Sequence, residues 1–150
     1  MIRASNPISR DAPSDLNRFT SAQEGIYDRA LTELRTGKKR THWMWFIFPQ
    51  IDGLGHSPTT KYYAIKNLEE ARRYLNHPVL GPRLLGCAAA VLSIEGRSVS
   101  EIFGYPDDLK LKSSMTLFAR VAEPGSIFVK VLDKYYAGER DVRTRQLLEN

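Results

Sequence analysis

One twenty-residue stretch, HWMWFIFPQIDGLGHSPTTK, concentrates residue types that could bind a ligand or move a proton. It begins with His42, carries Trp45 in an aromatic run, and reaches His56 after a glycine turn formed by Gly53 and Gly55. Backbone N–H groups in such a turn, ahead of a helix, can bind a phosphate or a carboxylate. The two histidines could act as an acid/base pair if the fold brings them together, but each could equally be a structural residue.

The residues around this turn predict a helix start. Ser57 followed by Pro58 is a typical N-cap and first-turn pair, and Lys61 lies one turn further on. The pattern is not a dinucleotide fingerprint, because Pro58 stands at the third glycine position, and it lacks the Gly-Lys-Ser/Thr ending of a P-loop. The alternative to an anion site is a turn that needs a positive φ before a capped helix.

A second candidate segment is PDDLKLKSSMTLF, residues 106–118. At helical spacing, Asp108, Lys112 and Thr116 share one sector between apolar neighbours, while solvent is expected to meet Lys110 and Ser114. The pair Asp108 and Lys112 would then be partly buried or line a cleft. The alternative is an ordinary surface ion pair, worth only about 0.3 to 0.5 kcal/mol.

Other common chemistries have no supporting pattern. The histidines, His42, His56 and His77, lack metal-ligand spacing, so neither a metal nor a cofactor is expected. Cys87 is the single cysteine, and its surroundings, LLGCAAAVL, predict a thiol buried in a helix. No motif for covalent catalysis is present.

These candidate residues are carried by segments with helical signals throughout the chain. The Ser-Ala-Gln-Glu sequence at residues 21–24 predicts a capping box for a first helix that ends at Gly37. Further N-caps are predicted at Ser57, Asn67, Ser98, Asp107, Ser126 and Asp141. The aromatic run is ambiguous by periodicity, although its neighbours favour a helix. The prediction is an all-α, compact multihelical fold of seven or eight helices with no convincing hairpin.

Length and composition favour one domain. The chain has 150 residues, 42% of them hydrophobic and 26% charged, enough to bury a single core. Residues 1–13, MIRASNPISRDAP, are predicted to be a flexible tail ahead of a helical domain over residues 14–150. No apolar run suits a membrane span or a signal peptide, so we expect a cytoplasmic protein without a membrane partner.

The net charge of +5, from 22 basic and 17 acidic residues, favours anionic partners. Part of the excess lies in RTGKKR, residues 35–40, where cations would offset the negative end of a helix dipole. Nucleic acid is the weaker expectation but stays open, because the aromatic residues cluster in a run too apolar to be exposed beside a basic groove.

The leading hypothesis is a site for a small anionic or nucleotide-like ligand, where residues 50–57 meet residues 108–113 beside the aromatic run. The backbone of Gly53 and Gly55 would hold the anion with Lys61 or Lys112; His42 or His56 would move a proton; Asp108 would orient a partner; and Trp45, Gln50, Ser57 and Ser113 would complete the site. An enzyme and a binding protein both fit these residues. The hypothesis requires the two segments to lie on the same face of the fold.

Two alternatives remain open. A non-enzymatic adaptor would bind a protein or nucleic acid through a basic surface, with steep salt dependence. Alternatively, both segments serve only to hold the fold, which predicts buried, fully hydrogen-bonded side chains at both places.

The same segments resemble a bacterial family of unknown function, family 1810. The resemblance covers residues 16–148 and rests on AQEGIYDRALTELRTGKKRTHWMWFIFPQIDGLGHS, YYAIKNLEEARRYLNHPVLGPRL, EIFGYPDDLKLKSSMTLF and KYYAGERDVRT. It implies a mostly helical fold, in the superfamily typed by a mycobacterial conserved hypothetical protein, and no established activity. Some members bear the label calpastatin, but calpastatin inhibitory regions are disordered repeats, and this chain has no repeat.

Overall fold

A computed structural model describes residues 15–149, which form ten helices and no strand. The first five are α1 (Asn17–Gln23), α2 (Tyr27–Arg35), α3 (Met44–Ile47), α4 (Pro58–Tyr63) and α5 (Leu68–Asn76). The last five are α6 (Leu80–Ser93), α7 (Val99–Phe103), α8 (Asp107–Val121), α9 (Ile127–Tyr136) and α10 (Val142–Leu148). The all-α prediction is confirmed. The predicted count of seven or eight helices was too low, because α1 was not anticipated and the four-residue α3 forms a separate helix.

The predicted flexible tail, residues 1–13, lies outside the described residues. Among the helices that are described, none is long and apolar enough to cross a membrane.

Four predicted N-caps are confirmed by hydrogen bonds. Ser57 Oγ accepts from the Thr60 N–H at 3.1 Å, and Asn67 Oδ1 accepts from the Glu70 N–H at 2.9 Å. The remaining two are the Ser98 capping box on α7 and Asp141 on α10. These side chains satisfy backbone donors that a helix start leaves without intrahelical partners.

Two other predicted caps were wrong, and a third has the predicted position but no cap hydrogen bond. Ser21 lies inside α1, and α2 begins only at Tyr27, because burial of Leu16 and Phe19 favours a helix that runs through the predicted capping box. Asp107 is the first residue of α8 and pairs with a lysine instead of capping. Ser126 occupies the N-cap position of α9 without a side-chain cap bond.

Helix α6 lies at the centre of the fold and packs against α2, α5 and α9. Its inward residues Leu80, Leu84, Cys87 and Val91 are all buried. Burial raises the pKa of the Cys87 thiol to about 12, so this thiol stays protonated and unreactive at neutral pH. The prediction that Cys87 is a core residue is confirmed.

The segment between α2 and α3 wraps around one buried carboxylate. Glu33 accepts hydrogen bonds from the Arg40 N–H at 2.8 Å, the Thr41 N–H at 3.1 Å and the Trp43 Nε1–H at 2.8 Å. The Thr41 hydroxyl donates a fourth at 2.7 Å. Burial alone would raise the pKa of Glu33, but these hydrogen bonds outweigh it and lower the pKa to about 2. The carboxylate therefore fixes where the aromatic run begins.

Helix α8 packs against α5, α7, α9 and α10. Leu111, Met115 and Phe118 are fully buried in the core. A different face, carrying Leu109 and Ser113, lines an open groove whose opposite wall is the loop before α4. The fold thus places the start of α8 beside the glycine loop.

Candidate functional site

The two segments singled out in the sequence meet in a groove of about 250 Å³. One wall comes from the loop and α4, the other from the start of α8, and the beginning of α10 completes the lining. The lining residues are Gln50, Leu54, Gly55, Thr60, Pro106, Leu109, Lys110, Ser113, Asp141 and Arg143. Three residues of the leading hypothesis, Gln50, Gly55 and Ser113, therefore line one concave surface. Trp45 lines a small cavity next to it.

The loop wall is closed by contacts at both of its ends. The Ile65 N–H donates to Gln50 O and the Asp52 N–H donates to Ile65 O, each at 2.8 Å, which forms an isolated parallel bridge. Closer to α4, Ser57 Oγ lies 2.8 Å from Thr60 Oγ1. A Cβ at position 55 would lie 2.6 Å from Thr60 Cγ2, so Gly55 lets the loop lie directly against α4.

The α8 wall carries the positive charge of the groove. Lys110 Nζ lies 5.7 Å from the centroid of the Trp45 ring and 3.7 Å from the Asp107 carboxylate. That same carboxylate forms a shorter ion pair, 2.8 Å, with Lys39. Because two lysines share one carboxylate, positive charge remains available at Lys110.

The α10 segment adds a second cation. The Asp141 carboxylate caps α10 by accepting from the Thr144 N–H at 2.9 Å and from the Thr144 hydroxyl at 2.6 Å. The Asp141 N–H donates to Thr116 Oγ1 at 2.9 Å, which holds the start of α10 against α8. Both cap bonds go to Asp141 Oδ2. Arg143 is exposed on the groove lining.

Trp45 is the one tryptophan beside the groove. It is half-buried and shares a small cavity with Gln50, Leu54 and Thr60, all of which also line the groove. Trp43 is fully buried and donates to Glu33, so it belongs to the core. Trp45 is therefore the tryptophan that a ligand in the groove could reach.

The predicted orientation of α8 was wrong. Lys112 does not line the groove: its Nζ lies 3.3 Å from Glu139 Oε1 and 5.8 Å from the centroid of the Tyr136 ring. The lysine on the groove is Lys110, which was expected to meet solvent. Ser114 was also expected to meet solvent and is fully buried.

Asp108 makes hydrogen bonds within the fold. Its carboxylate accepts from the Ser100 hydroxyl at 2.8 Å and from the Leu109 N–H at 2.9 Å, and its exposed fraction is 9%. These bonds connect α7 to the first turn of α8. Asp108 thus fits the alternative in which the residue holds the fold, and it does not face the groove lining.

Several other predicted site residues lie away from the groove lining. Gly53, at φ 108°, packs toward Leu147, because a Cβ there would lie 3.1 Å from a Leu147 methyl. Ser57 is the cap of α4, and Lys61 is exposed on that helix. The anion contacts predicted for Gly53 and Lys61 therefore have no counterpart in the groove geometry.

The predicted acid/base histidines do not line the groove either. His42 and His56 are both exposed, and neither lies on the described groove lining. His77 ends α5, and its Nδ1 accepts from the Val79 N–H at 3.0 Å and the Leu80 N–H at 3.2 Å. His77 thus stabilises the turn between α5 and α6. Over residues 15–149, no group of three or more His, Cys, Asp or Glu residues is arranged to hold a metal ion.

Comparison with known proteins agrees with this fold. A family model described as "Protein of unknown function (DUF1810)" matches residues 13–148. The chain belongs to the DUF1810 family. Among solved structures, the DUF1810 chain is similar to the crystal structure of the conserved hypothetical protein Rv1873 from Mycobacterium tuberculosis, with 55% sequence identity and a TM-score of 0.90. The match covers 92% of this chain and 99% of that one. No curated protein matches the chain.

Sequence reasoning missed the groove residues Leu54, Thr60, Leu109, Lys110 and Arg143. Leu109 is 51% exposed, and together with Leu54 it gives the groove an apolar surface. The groove of this DUF1810 protein therefore combines an apolar surface with two cations. Such a combination can bind a small anion that carries an apolar part.

Proposed function

We propose that this DUF1810 protein binds a small anionic molecule in the groove between the glycine loop and the start of α8. The carrying observation is that Lys110 and Arg143, remote in sequence, line the same groove as Gln50 and Ser113. A carboxylate or phosphate would be held by the two cations. The apolar part of the ligand would contact Leu54 and Leu109.

The electrostatics support an anion over a neutral ligand. The lining carries two cations, Lys110 and Arg143, against one carboxylate, Asp141. The nearby Asp107 carboxylate is shared by Lys39 and Lys110. An incoming anion would therefore meet cations whose charge is incompletely compensated. A volume of about 250 Å³ suits a ligand with one ring or a short chain.

The proposal is one of binding rather than catalysis. The described groove lining contains no histidine or cysteine, and its carboxylate already accepts two hydrogen bonds. General acid/base work would need a titratable group within hydrogen-bond reach of the ligand. His42, His56 and Asp108 do not supply one there, so we assign no proton transfer to them.

Thermal unfolding against four carboxylates that carry no phosphate, phenylacetate, benzoate, citrate and acetate, tests the proposal. A ligand at 100 times its dissociation constant adds about 2.7 kcal/mol, which raises the midpoint by several degrees in a domain of this size. We expect phenylacetate or benzoate to give the largest shift, because each joins a charge to one apolar ring. Lys110→Met should abolish most of that shift.

Lys112→Met is the matched control, because it removes the same side chain two positions away on the same helix. Its partner Glu139 is largely exposed, so the loss of their ion pair should change the free energy of unfolding by less than about 1 kcal/mol. The ligand-induced shift should survive. Equal loss of the shift in both lysine variants, or no shift with any of the four compounds, would contradict binding in this groove.

A further inference from the structure

A second and larger cavity, of about 560 Å³, lies beyond the groove along α8, between the C-terminal half of that helix and α10. Three arginines line it: Arg120 from α8, Arg140 from the connection before α10, and Arg145 from α10. Ala119, Val129 and Leu148 contribute apolar surface to the same cavity. The described lining of the first groove, in contrast, contains one arginine, Arg143.

The three arginines on the described lining outnumber its acidic residues. None of the three forms an ion pair with a carboxylate within residues 15–149, and Glu149 is the acidic residue on the described lining. Arg120 and Arg145 lie in the last turns of their helices, where the helix dipole favours a cation. That explanation does not extend to Arg140, which precedes α10.

The backbone next to Arg140 is attached to α8 through the neighbouring residue, Asp141. The Asp141 N–H donates to Thr116 Oγ1, and Thr116 Oγ1 in turn donates to Lys112 O at 2.8 Å. Thr116 is buried and lines the cavity. The backbone beside Arg140 is therefore fixed against α8, so less ordering is needed when an anion binds.

We propose that this cavity binds a phosphorylated small molecule. Guanidinium groups suit phosphate oxygens, because they offer paired N–H donors in a plane and stay charged at every physiological pH. The organic part of the ligand would lie against Ala119, Val129 and Leu148, and the cavity volume suits a molecule of nucleotide size. This site shares no lining residue with the groove of the proposed function, so either can fail without the other.

Phenyl phosphate and inorganic phosphate are suitable probes, titrated at 0.15 M ionic strength and followed by backbone amide NMR. We expect saturable shifts at Arg120, Arg140 and Arg145, with tighter binding of phenyl phosphate because of the apolar wall. Arg140→Gln and Arg145→Gln should each weaken the binding of phenyl phosphate by about fivefold or more, since each removes a charge-assisted hydrogen bond. Lys110→Met should leave this binding unchanged.

Arg72→Gln is the matched control, because Arg72 is exposed on α5 and lines neither cavity. It removes the same charge and should weaken the binding of phenyl phosphate by less than about twofold. An equal loss in Arg72→Gln would show a non-specific charge effect and overturn the proposal. So would the absence of saturable binding, or arginine-dependent binding of an oligonucleotide without any binding of phenyl phosphate.

Discussion

Replacing Glu33 by alanine should lower the free energy of unfolding by about 3 to 5 kcal/mol, because four donors would lose one buried charged acceptor. Trp43 Nε1–H is fully buried and has no route to water, and the Arg40 and Thr41 N–H groups lose the partner that orders their turn. The aromatic run that follows packs most of its residues into the core. Urea unfolding at pH 7 would measure the loss.

The Glu33 carboxylate should also make the free energy of unfolding depend on pH. The pKa of Glu33 is lowered in the folded protein from its ordinary 4.5 to about 2, so its contribution is fully present above pH 4.5. It is lost as the pH falls from about 4.5 toward about 2. The whole shift corresponds to about 3 kcal/mol, and about 2 kcal/mol of this is already lost at pH 3.

Glu33→Gln isolates this effect, because the amide keeps the shape of the side chain without the titrating charge. The stability gap between wild type and Glu33→Gln should be largest at pH 7 and shrink toward pH 3. Glu95→Gln is the control, since the Glu95 carboxylate is 86% exposed and pairs only with Lys134 among the described residues. A gap for Glu33→Gln that stays constant with pH would contradict the assigned role.

Gly81→Ala should lower the free energy of unfolding by about 3 kcal/mol through a backbone clash. A Cβ at position 81 would lie 2.1 Å from the Leu75 carbonyl oxygen and 3.0 Å from its carbon. The turn between α5 and α6 cannot easily yield, because His77 Nδ1 holds the Val79 and Leu80 N–H groups and His77 O accepts from the Gly81 N–H. Denaturant unfolding monitored by circular dichroism would measure it.

Gly86→Ala, in the same helix, provides the comparison. Its added Cβ would meet only the Tyr27 hydroxyl, at 3.1 Å, which is the movable end of a side chain. The gain of about 1 kcal/mol in helix propensity offsets that contact, so the variant should be as stable as wild type within about 1 kcal/mol. Equal losses at Gly81 and Gly86 would mean that the close approach of α5 and α6 is not the cause.

Much of the helical architecture follows from local chemistry. Ser57, Asn67, Ser98 and Asp141 were predicted as N-caps because a side-chain acceptor bonds a backbone donor two or three residues away, and nothing distant is needed. The capping box at residues 21–24 failed for a non-local reason. Burial of Phe19 in the core favours a helix that passes through it.

The lining of the groove could be predicted only in part, for the same reason. The sequence correctly predicted a helix over this segment, but helical spacing selected Lys112 rather than Lys110 as the residue in a cleft. Lys112 pairs with Glu139, which lies in the segment before α10. Lys110 lines the groove because the loop before α4 lies opposite it. Both neighbours lie more than about 25 residues away in sequence, so periodicity within one helix carries no information about them.

Backbone amide NMR with phenylacetate tests the central claim most directly, because it reports every position in one titration. We predict saturable shifts confined to residues 50–60, to Leu109, Lys110 and Ser113, and to Arg143, with the Trp45 indole N–H shifting as well and all of these changes lost in Lys110→Met. Shifts that cluster instead around His42, or that are absent from both walls of the groove at saturation, would contradict a binding site between the glycine loop and α8.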